Sequence, residues 1–170
     1  MQVPVTSEDF DRAYEQPITF WGDVRIPPEV KTLVGERGID RVLELGCGVG
    51  RFSRWVAGQG KRAVGVDFSP VAIGKAKREA SSAEFRVGDV TNLAGLEGPF
   101  DASFDVGCFH CLNASGQRAY AAEVARLLRP GAVHLLWALD SSPSDMAFGP
   151  DLVRQVFHAD FTLTKSAPNR

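Results

Sequence analysis

The 170-residue sequence is poor in cysteine, with three, and in methionine and tyrosine, with two of each. It also lacks long apolar runs. Leu135 to Leu139 is among the longest, far below the roughly 20 residues that a bilayer-spanning helix needs. No membrane partner is expected. Cys47, Cys108 and Cys111 are odd in number and unevenly spaced, which makes a poor disulfide framework. Met1 to Phe10 has neither a cationic segment nor an apolar core, so it does not read as a secretory signal. A cytoplasmic protein with reduced thiols is the expectation. Charge of one sign is missing too: 19 Lys and Arg face 21 Asp and Glu, for a net charge of -2. A chain that neutralises many phosphates carries a basic face, so no nucleic-acid partner is expected. Repeats and low-complexity tracts are absent.

What is present is the composition of an ordinary globular chain, 44% hydrophobic and 24% charged, at a length that fits one domain. Strand-like and helix-like segments alternate. Arg41 to Leu45 is a short apolar strand that runs into Gly46, Gly48 and Gly50. A helix pattern follows from Arg51 to Ala57, stopped by Gly58 and Gly60. Ala63 to Val66 is a second strand ending at Asp67. Ser69 and Pro70 open a helix to about Ala80. Glu84 to Val87 and Phe100 to Gly107 are the third and fourth strands. Ser115 to Leu128 is a helix, broken by Arg129-Pro130-Gly131, and Ala132 to Leu139 is the fifth strand. A weak helix over Asp151 to Phe157 and a weak strand over Phe161 to Lys165 follow. Ahead of the first strand, Pro27 and Pro28 open a helix that Gly35 or Gly38 closes. Strands separated by helices imply a doubly wound, mostly parallel α/β sheet with helices on both faces.

In such sheets ligands bind beyond the carboxyl ends of the strands. The Gly46 to Gly50 turn lies there, and glycines let the backbone approach a ligand closely. A dinucleotide-binding turn needs a third glycine at residue 51, where this chain has Arg51. Glu44, just before the turn, repels a pyrophosphate and suits a cationic or hydroxyl-bearing ligand. Asp67 ends the second strand, where a carboxylate accepts from ribose hydroxyls. Asp89 ends the third, within reach of a donor such as an adenine amino group. Three acids at three strand ends describe a pocket for a positively charged nucleoside.

Four segments, Glu44-Leu45-Gly46-Cys47-Gly48-Val49-Gly50, Val66-Asp67-Phe68-Ser69-Pro70, Gly88-Asp89-Val90 and Leu128-Arg129-Pro130-Gly131, together resemble the class I S-adenosylmethionine-dependent methyltransferases. The resemblance covers Ile39 to Leu139 in order. It implies a Rossmann-like fold, with S-adenosyl-L-methionine as cofactor and S-adenosyl-L-homocysteine as product. By resemblance Gly46, Cys47, Gly48 and Gly50 lie under the methionine part of the cofactor. Asp67 binds the ribose, Phe68 lines the adenine, Asp89 accepts from its amino group, and the Val90 backbone meets the ring edge. Phe104 to Leu112, Arg118 and Tyr120 further resemble the small-molecule branch near thiol, thiopurine and tellurite methyltransferases. Trp21 with Pro27-Pro28-Glu29 resembles that branch's N-terminal lid, whose Trp touches the cofactor. The chain departs from the thiopurine enzymes in lacking Asp-Arg at Asp105-Val106, and it has no Asn-Pro-Pro-Tyr signature.

Methyl transfer from a sulfonium is an in-line displacement, so the protein chiefly aligns the reactants and excludes water. A thiolate acceptor needs no strong base, whereas a phenol profits from one. His110 is the base candidate, set against a packing role. Asp105 is a candidate for holding the cofactor's ammonium or deprotonating the acceptor, set against a strand-end acid bonded to a backbone amide. Cys108 and Cys111 have metal-pair spacing but lack a second pair, so two small buried thiols are expected and no metal. His134 is expected to be a satisfied core or strand-end residue. Phe10, Tyr14, Phe20 and Trp21 are read as a lid or as an aromatic stripe. Arg51 is read as a solvated residue or a partner of the cofactor carboxylate.

The expectation is one domain: an N-terminal helical lid segment over 1–38, a cofactor-binding core over 39–139 and a shortened C-terminal part over 140–170. The acceptor is a small molecule methylated at sulfur, oxygen or nitrogen. The alternatives are a non-catalytic S-adenosylmethionine-binding module and a nicotinamide-dependent oxidoreductase. The family resemblance implies seven strands, of which this chain supplies six at most. An exposed sheet edge is therefore expected, in a monomer or covered in a homodimer.

Overall fold

The computed structural model describes residues 6–16, 25–138 and 149–167. Five strands form its sheet: β1 (Arg41–Leu45), β2 (Arg62–Asp67), β3 (Glu84–Val87), β4 (Phe100–Val106) and β5 (Leu128–Trp137). All neighbouring pairs are parallel, and the spatial order is β3-β2-β1-β4-β5. The order reverses between β1 and β4, and it is beyond their carboxyl ends that a sheet of this kind holds its ligand crevice.

Among the described residues six helices flank the sheet: α1 (Ser7–Glu15), α2 (Pro28–Gly35), α3 (Arg51–Gly58), α4 (Pro70–Arg78), α5 (Ala114–Leu127) and α6 (Pro150–Phe157). Alternation along the strands divides the core between the two faces. Leu43, Leu45, Val64 and Val66 pack with Tyr120, Val124 and Leu127 of α5 and Phe157 of α6. On the other face Val42, Ala63, Ala102 and Phe104 pack with Val30, Leu33 and Val34 of α2 and Phe52 and Val56 of α3. Both faces are covered by helices, which accounts for strands that read as nearly continuous apolar runs.

The helices start where their sequences offer caps. The Ser69 hydroxyl accepts from Ala72 N at 3.0 Å and Pro70 fills the first position of α4. Thr6 and Asp9 cap α1 reciprocally. α5 starts one residue earlier than expected because Asn113, accepting from Gly116 N at 2.9 Å, is its cap.

Two expectations are corrected. β5 begins at Leu128 and not at Ala132: Leu128 pairs with Phe100 and Val133 with Ala102, and the Arg129–Ala132 stretch loops out between them. Gly131, at φ +76°, supplies the left-handed residue for that irregularity. The sixth strand over Phe161 to Lys165 does not form. The chain turns after α6, with Phe161 N donating to Phe157 O at 3.0 Å. The Phe161 ring then packs against Phe157 and His134, which takes the segment into an aromatic cluster rather than a ladder. No described residues pair with the outer side of β5, and Val133 there is 44% exposed. No helix among the described residues is long and apolar enough to cross a membrane.

Candidate active site

The β1–α3 turn carries three glycines in the left-handed region, Gly46 at φ +70°, Gly48 at +52° and Gly50 at +75°. At all three a side chain has no room; on Gly50 a Cβ would stand 2.3 Å from the Phe85 ring. A Cβ on Gly46 would stand 2.4 Å from Cys108 Cβ, so the turn after β1 lies directly against the turn after β4. A Cβ on Gly48 would stand 2.7 Å from the Tyr14 hydroxyl of α1. The backbone is therefore pressed between two other segments at the crevice.

Gly50 begins α3 without a side-chain cap. Glu44 supplies the missing acceptor from β1: its Oε2 accepts from Ser53 N at 2.8 Å and from the Ser53 hydroxyl. Ser53 N is one of the unpaired donors of the first helical turn. Glu44 is thus buried beneath the glycine turn and not in the crevice, and burial raises its pKa to about 8. Its sequence role as part of a triad of anions is corrected: near neutral pH it holds a proton and braces the helix.

Asp67 closes the turn from the neighbouring strand. Its Oδ2 accepts from Gly48 N at 2.8 Å and its Oδ1 from Ser69 N at 2.9 Å. A carboxylate has about four acceptor positions, so this pairing leaves capacity for two hydroxyl donors. Burial raises its pKa above the usual range, opposed by those two amides. Phe68, half-buried, meets the Phe10 ring edge-on at 5.2 Å. Ser7 Oγ donates to Phe68 O at 3.2 Å, Ser69 Oγ donates to Asp11, and Lys75 donates to Tyr14 O. α1 is thereby fastened over the ends of β1 and β2, contacts that both readings of Phe10 and Tyr14, lid and packed aromatic stripe, allow. Phe20 and Trp21 lie outside the described residues.

Asp89, exposed at the end of β3, uses Oδ1 to accept from Thr91 N at 2.8 Å and Thr91 Oγ1 at 2.7 Å. Val90 is buried with its side chain in the core. Cys47 is buried among Ile73, Ala76 and Phe85, and burial pushes its thiol far up. Only its backbone belongs to the turn, with Cys47 N donating to Val66 O at 2.9 Å.

Beyond β4 a short 3₁₀ turn, Phe109–Cys111, holds His110. His110 is 8% exposed and burial lowers its pKa, so the neutral, proton-accepting imidazole prevails near pH 7. Asp105 has the geometry of the alternative reading, a strand-end acid bonded to backbone amides. It is 0% exposed, and its oxygens accept from Cys108 N at 2.8 Å, Phe109 N at 2.9 Å and the Tyr120 hydroxyl at 2.9 Å. Cys111 is exposed, against the expectation of two buried thiols; all three cysteines are free. No cluster of potential metal ligands occurs among the described residues.

Sequence reasoning passed over Ser53, Ser69 as a partner of Asp11, and the pairing of Tyr120 with Asp105. Each contact joins positions between 9 and 58 residues apart, which a linear pattern does not register.

Residues 42–131 match the family described as methyltransferase domain. The chain is 30% identical over 138 residues to the 2-heptyl-1-hydroxyquinolin-4(1H)-one methyltransferase of Mycobacteroides abscessus, covering 78% of this chain and 59% of that protein. The chain thus spans less than two thirds of that relative's length. A solved structure from work on the conversion of a disulfide bond into a thioacetal group during echinomycin biosynthesis is 29% identical. It superposes at a TM-score of 0.78 over 94% of this chain and 81% of its own. The TehB-like SAM-dependent methyltransferase of Corynebacterium glutamicum, at 22% identity and a TM-score of 0.66, shares the fold over 89% of this chain and 80% of its own.

Proposed function

The chain belongs to the methyltransferase domain family, and on that premise we propose that it methylates a small-molecule sulfur, oxygen or nitrogen acceptor, with S-adenosyl-L-methionine as donor. The observation that carries this reading is the clasp of Asp67 on Gly48, 2.8 Å long, between the ends of β1 and β2, next to the β1–β4 pair where the strand order reverses. The residues fit such a cofactor. The glycine turn brings close-packed backbone to the strand ends, Asp67 keeps acceptor capacity, and Asp89 leaves one oxygen to solvent beside the Val90 backbone. When bound, S-adenosyl-L-methionine supplies a methyl group already activated by its sulfonium.

The chain's own task is then to bind, orient and keep water out. Asp67 and Asp89 receive the hydroxyl and amino donors of the nucleoside. Phe68, backed by Phe10, presents an apolar face to its base. α1 shields the turn from solvent, and such ordering of reactants is worth on the order of 7 kcal/mol or more of a bimolecular barrier. His110, neutral near pH 7, accepts the proton of a phenol or N-hydroxyl acceptor; a thiolate makes no such demand.

The relatives' names favour a compact acceptor. One is named for a hydroxyquinolone and the other solved protein for sulfur chemistry in a natural-product pathway. The test is release of S-adenosyl-L-homocysteine across a panel of thiols, phenols and N-heterocycles. Turnover of at least one class supports the reading. Cofactor binding without turnover of any class supports instead a non-catalytic binding module.

A further inference from the structure

Beneath the His110 turn lies a chain of four polar side chains from three elements. Ser103 Oγ is 2.8 Å from His134 Nδ1, His134 Nε2 is 3.3 Å from the Tyr120 hydroxyl, and that hydroxyl is 2.9 Å from Asp105 Oδ2. Ser103 and Asp105 lie two residues apart on β4, so they share a face. His134 pairs with Ser103 in register on β5. Tyr120 reaches in from α5, its ring edge-on to Phe109 at 5.1 Å.

The donors can be assigned by elimination. Burial lowers the His134 pKa to about 3, so the ring is neutral and carries one N–H. The Tyr120 proton goes to Asp105, because a carboxylate only accepts. Tyr120 Oη then has only lone pairs to offer His134, which puts the imidazole proton on Nε2. Nδ1 is left to accept from Ser103. All four groups are satisfied in one direction, ending on the Asp105 carboxylate.

That carboxylate has a second task. It accepts from Cys108 N and Phe109 N, the amides that open the turn bearing His110. We propose that Tyr120 and His134, backed by Ser103, are positioning residues of this site: they fix the Asp105 carboxylate in the orientation that ties down the Cys108–Cys111 turn and with it the His110 ring. None of the three touches the reacting groups. The proposal rests on the functional reading only in giving His110 a task on the acceptor side.

The titratable groups facing Asp105 are Glu44 of β1, Cys108 and Cys111 of the turn, and Tyr120 of α5, with His134 of β5 behind it. Burial raises the Asp105 pKa to about 6, opposed by the Cys108 amide and the Tyr120 hydroxyl. The amide protons of Cys108 and Phe109 therefore report the ionisation of Asp105 by NMR.

The experiment titrates those two amides and the His110 ring in the wild type and in Tyr120→Phe, which keeps the aromatic packing and removes only the hydroxyl. In the wild type the amides and the His110 ring share a step near pH 6. In Tyr120→Phe the step moves up by about one pH unit, the worth of a hydrogen bond to a charged group. The second readout is the 15N shifts of His134: an Nε2–H tautomer in the wild type and in Ser103→Ala, where the Tyr120 oxygen still demands it, and a mixture in Tyr120→Phe, where that acceptor is gone. This readout needs neither cofactor nor acceptor, so it stands or falls apart from methyl transfer. An unmoved step or an unchanged His134 tautomer in Tyr120→Phe overturns the proposal.

Discussion

Asp67 and Gly48 are joined by a hydrogen bond of 2.8 Å from the Gly48 amide to the Asp67 carboxylate, across two adjacent strand ends. One side chain thus both shapes the glycine turn and keeps acceptor positions for the cofactor's hydroxyls. Asp67→Ala removes both effects. The loss of hydrogen bonds to a charged group is about 1–3 kcal/mol, a roughly 5- to 150-fold rise in Kd for S-adenosyl-L-homocysteine by calorimetry. An unchanged Kd removes Asp67 from the site.

The burial of Glu44, only partly offset by its bonds from Ser53, predicts an inverted pH dependence. The Glu44 pKa rises to about 8 in the folded chain, against about 4.3 when unfolded. Between those values the folded state holds more protons than the unfolded one, so stability falls as pH rises. Over the whole window the loss is on the order of 5 kcal/mol. Asp105, raised to about 6 by burial, adds to the fall at the acidic end of that window. Glu44→Gln, which mimics the protonated form, flattens the slope of Tm against pH between 5 and 9. Parallel curves for the two proteins contradict the assignment.

The contact of Tyr14 with Gly48 couples α1 to the turn. Gly48→Ala forces an L-residue at φ +52° and a Cβ 2.7 Å from the Tyr14 hydroxyl. The backbone part alone costs about 1–2 kcal/mol. In a Tyr14→Phe background the steric part is relieved, so Gly48→Ala costs less there than in the wild type. Urea denaturation of the four proteins measures the difference; additive losses mean that the two residues are independent.

His110→Ala separates a base from a packing role. As a base His110 contributes about 10²–10⁴-fold to transfer onto a phenol and far less onto a thiol that ionises by itself. S-adenosyl-L-homocysteine release from both acceptor types gives the ratio. Equal losses assign His110 to packing.

The parallel α/β alternation was legible because glycine or proline follows each of the first four strands within three residues, and Asp67 and Asp89 sit at two of those ends in the sequence. Side-chain direction was not legible. Glu44 is next to the turn in sequence, yet strand alternation and the uncapped start of α3 send it to Ser53 rather than to the crevice. Asp105 sits at a strand end like Asp67, but Tyr120, fifteen residues on, and the turn amides claim its oxygens. Phe161 to Lys165 has strand composition, and the aromatic cluster around His134 and Phe157 outcompetes pairing. Each discrepancy is a tertiary contact overriding a local pattern.

The account depends most on the crevice holding an adenosyl sulfonium cofactor, and thermal unfolding with S-adenosyl-L-homocysteine or NAD tests that directly. At about 100 times Kd a ligand specific to the folded state adds about 2.7 kcal/mol, a rise of roughly 5–10 °C in Tm for a domain of this size. The account predicts that rise with S-adenosyl-L-homocysteine and none with NAD. Equal shifts, or a shift with NAD alone, contradict it.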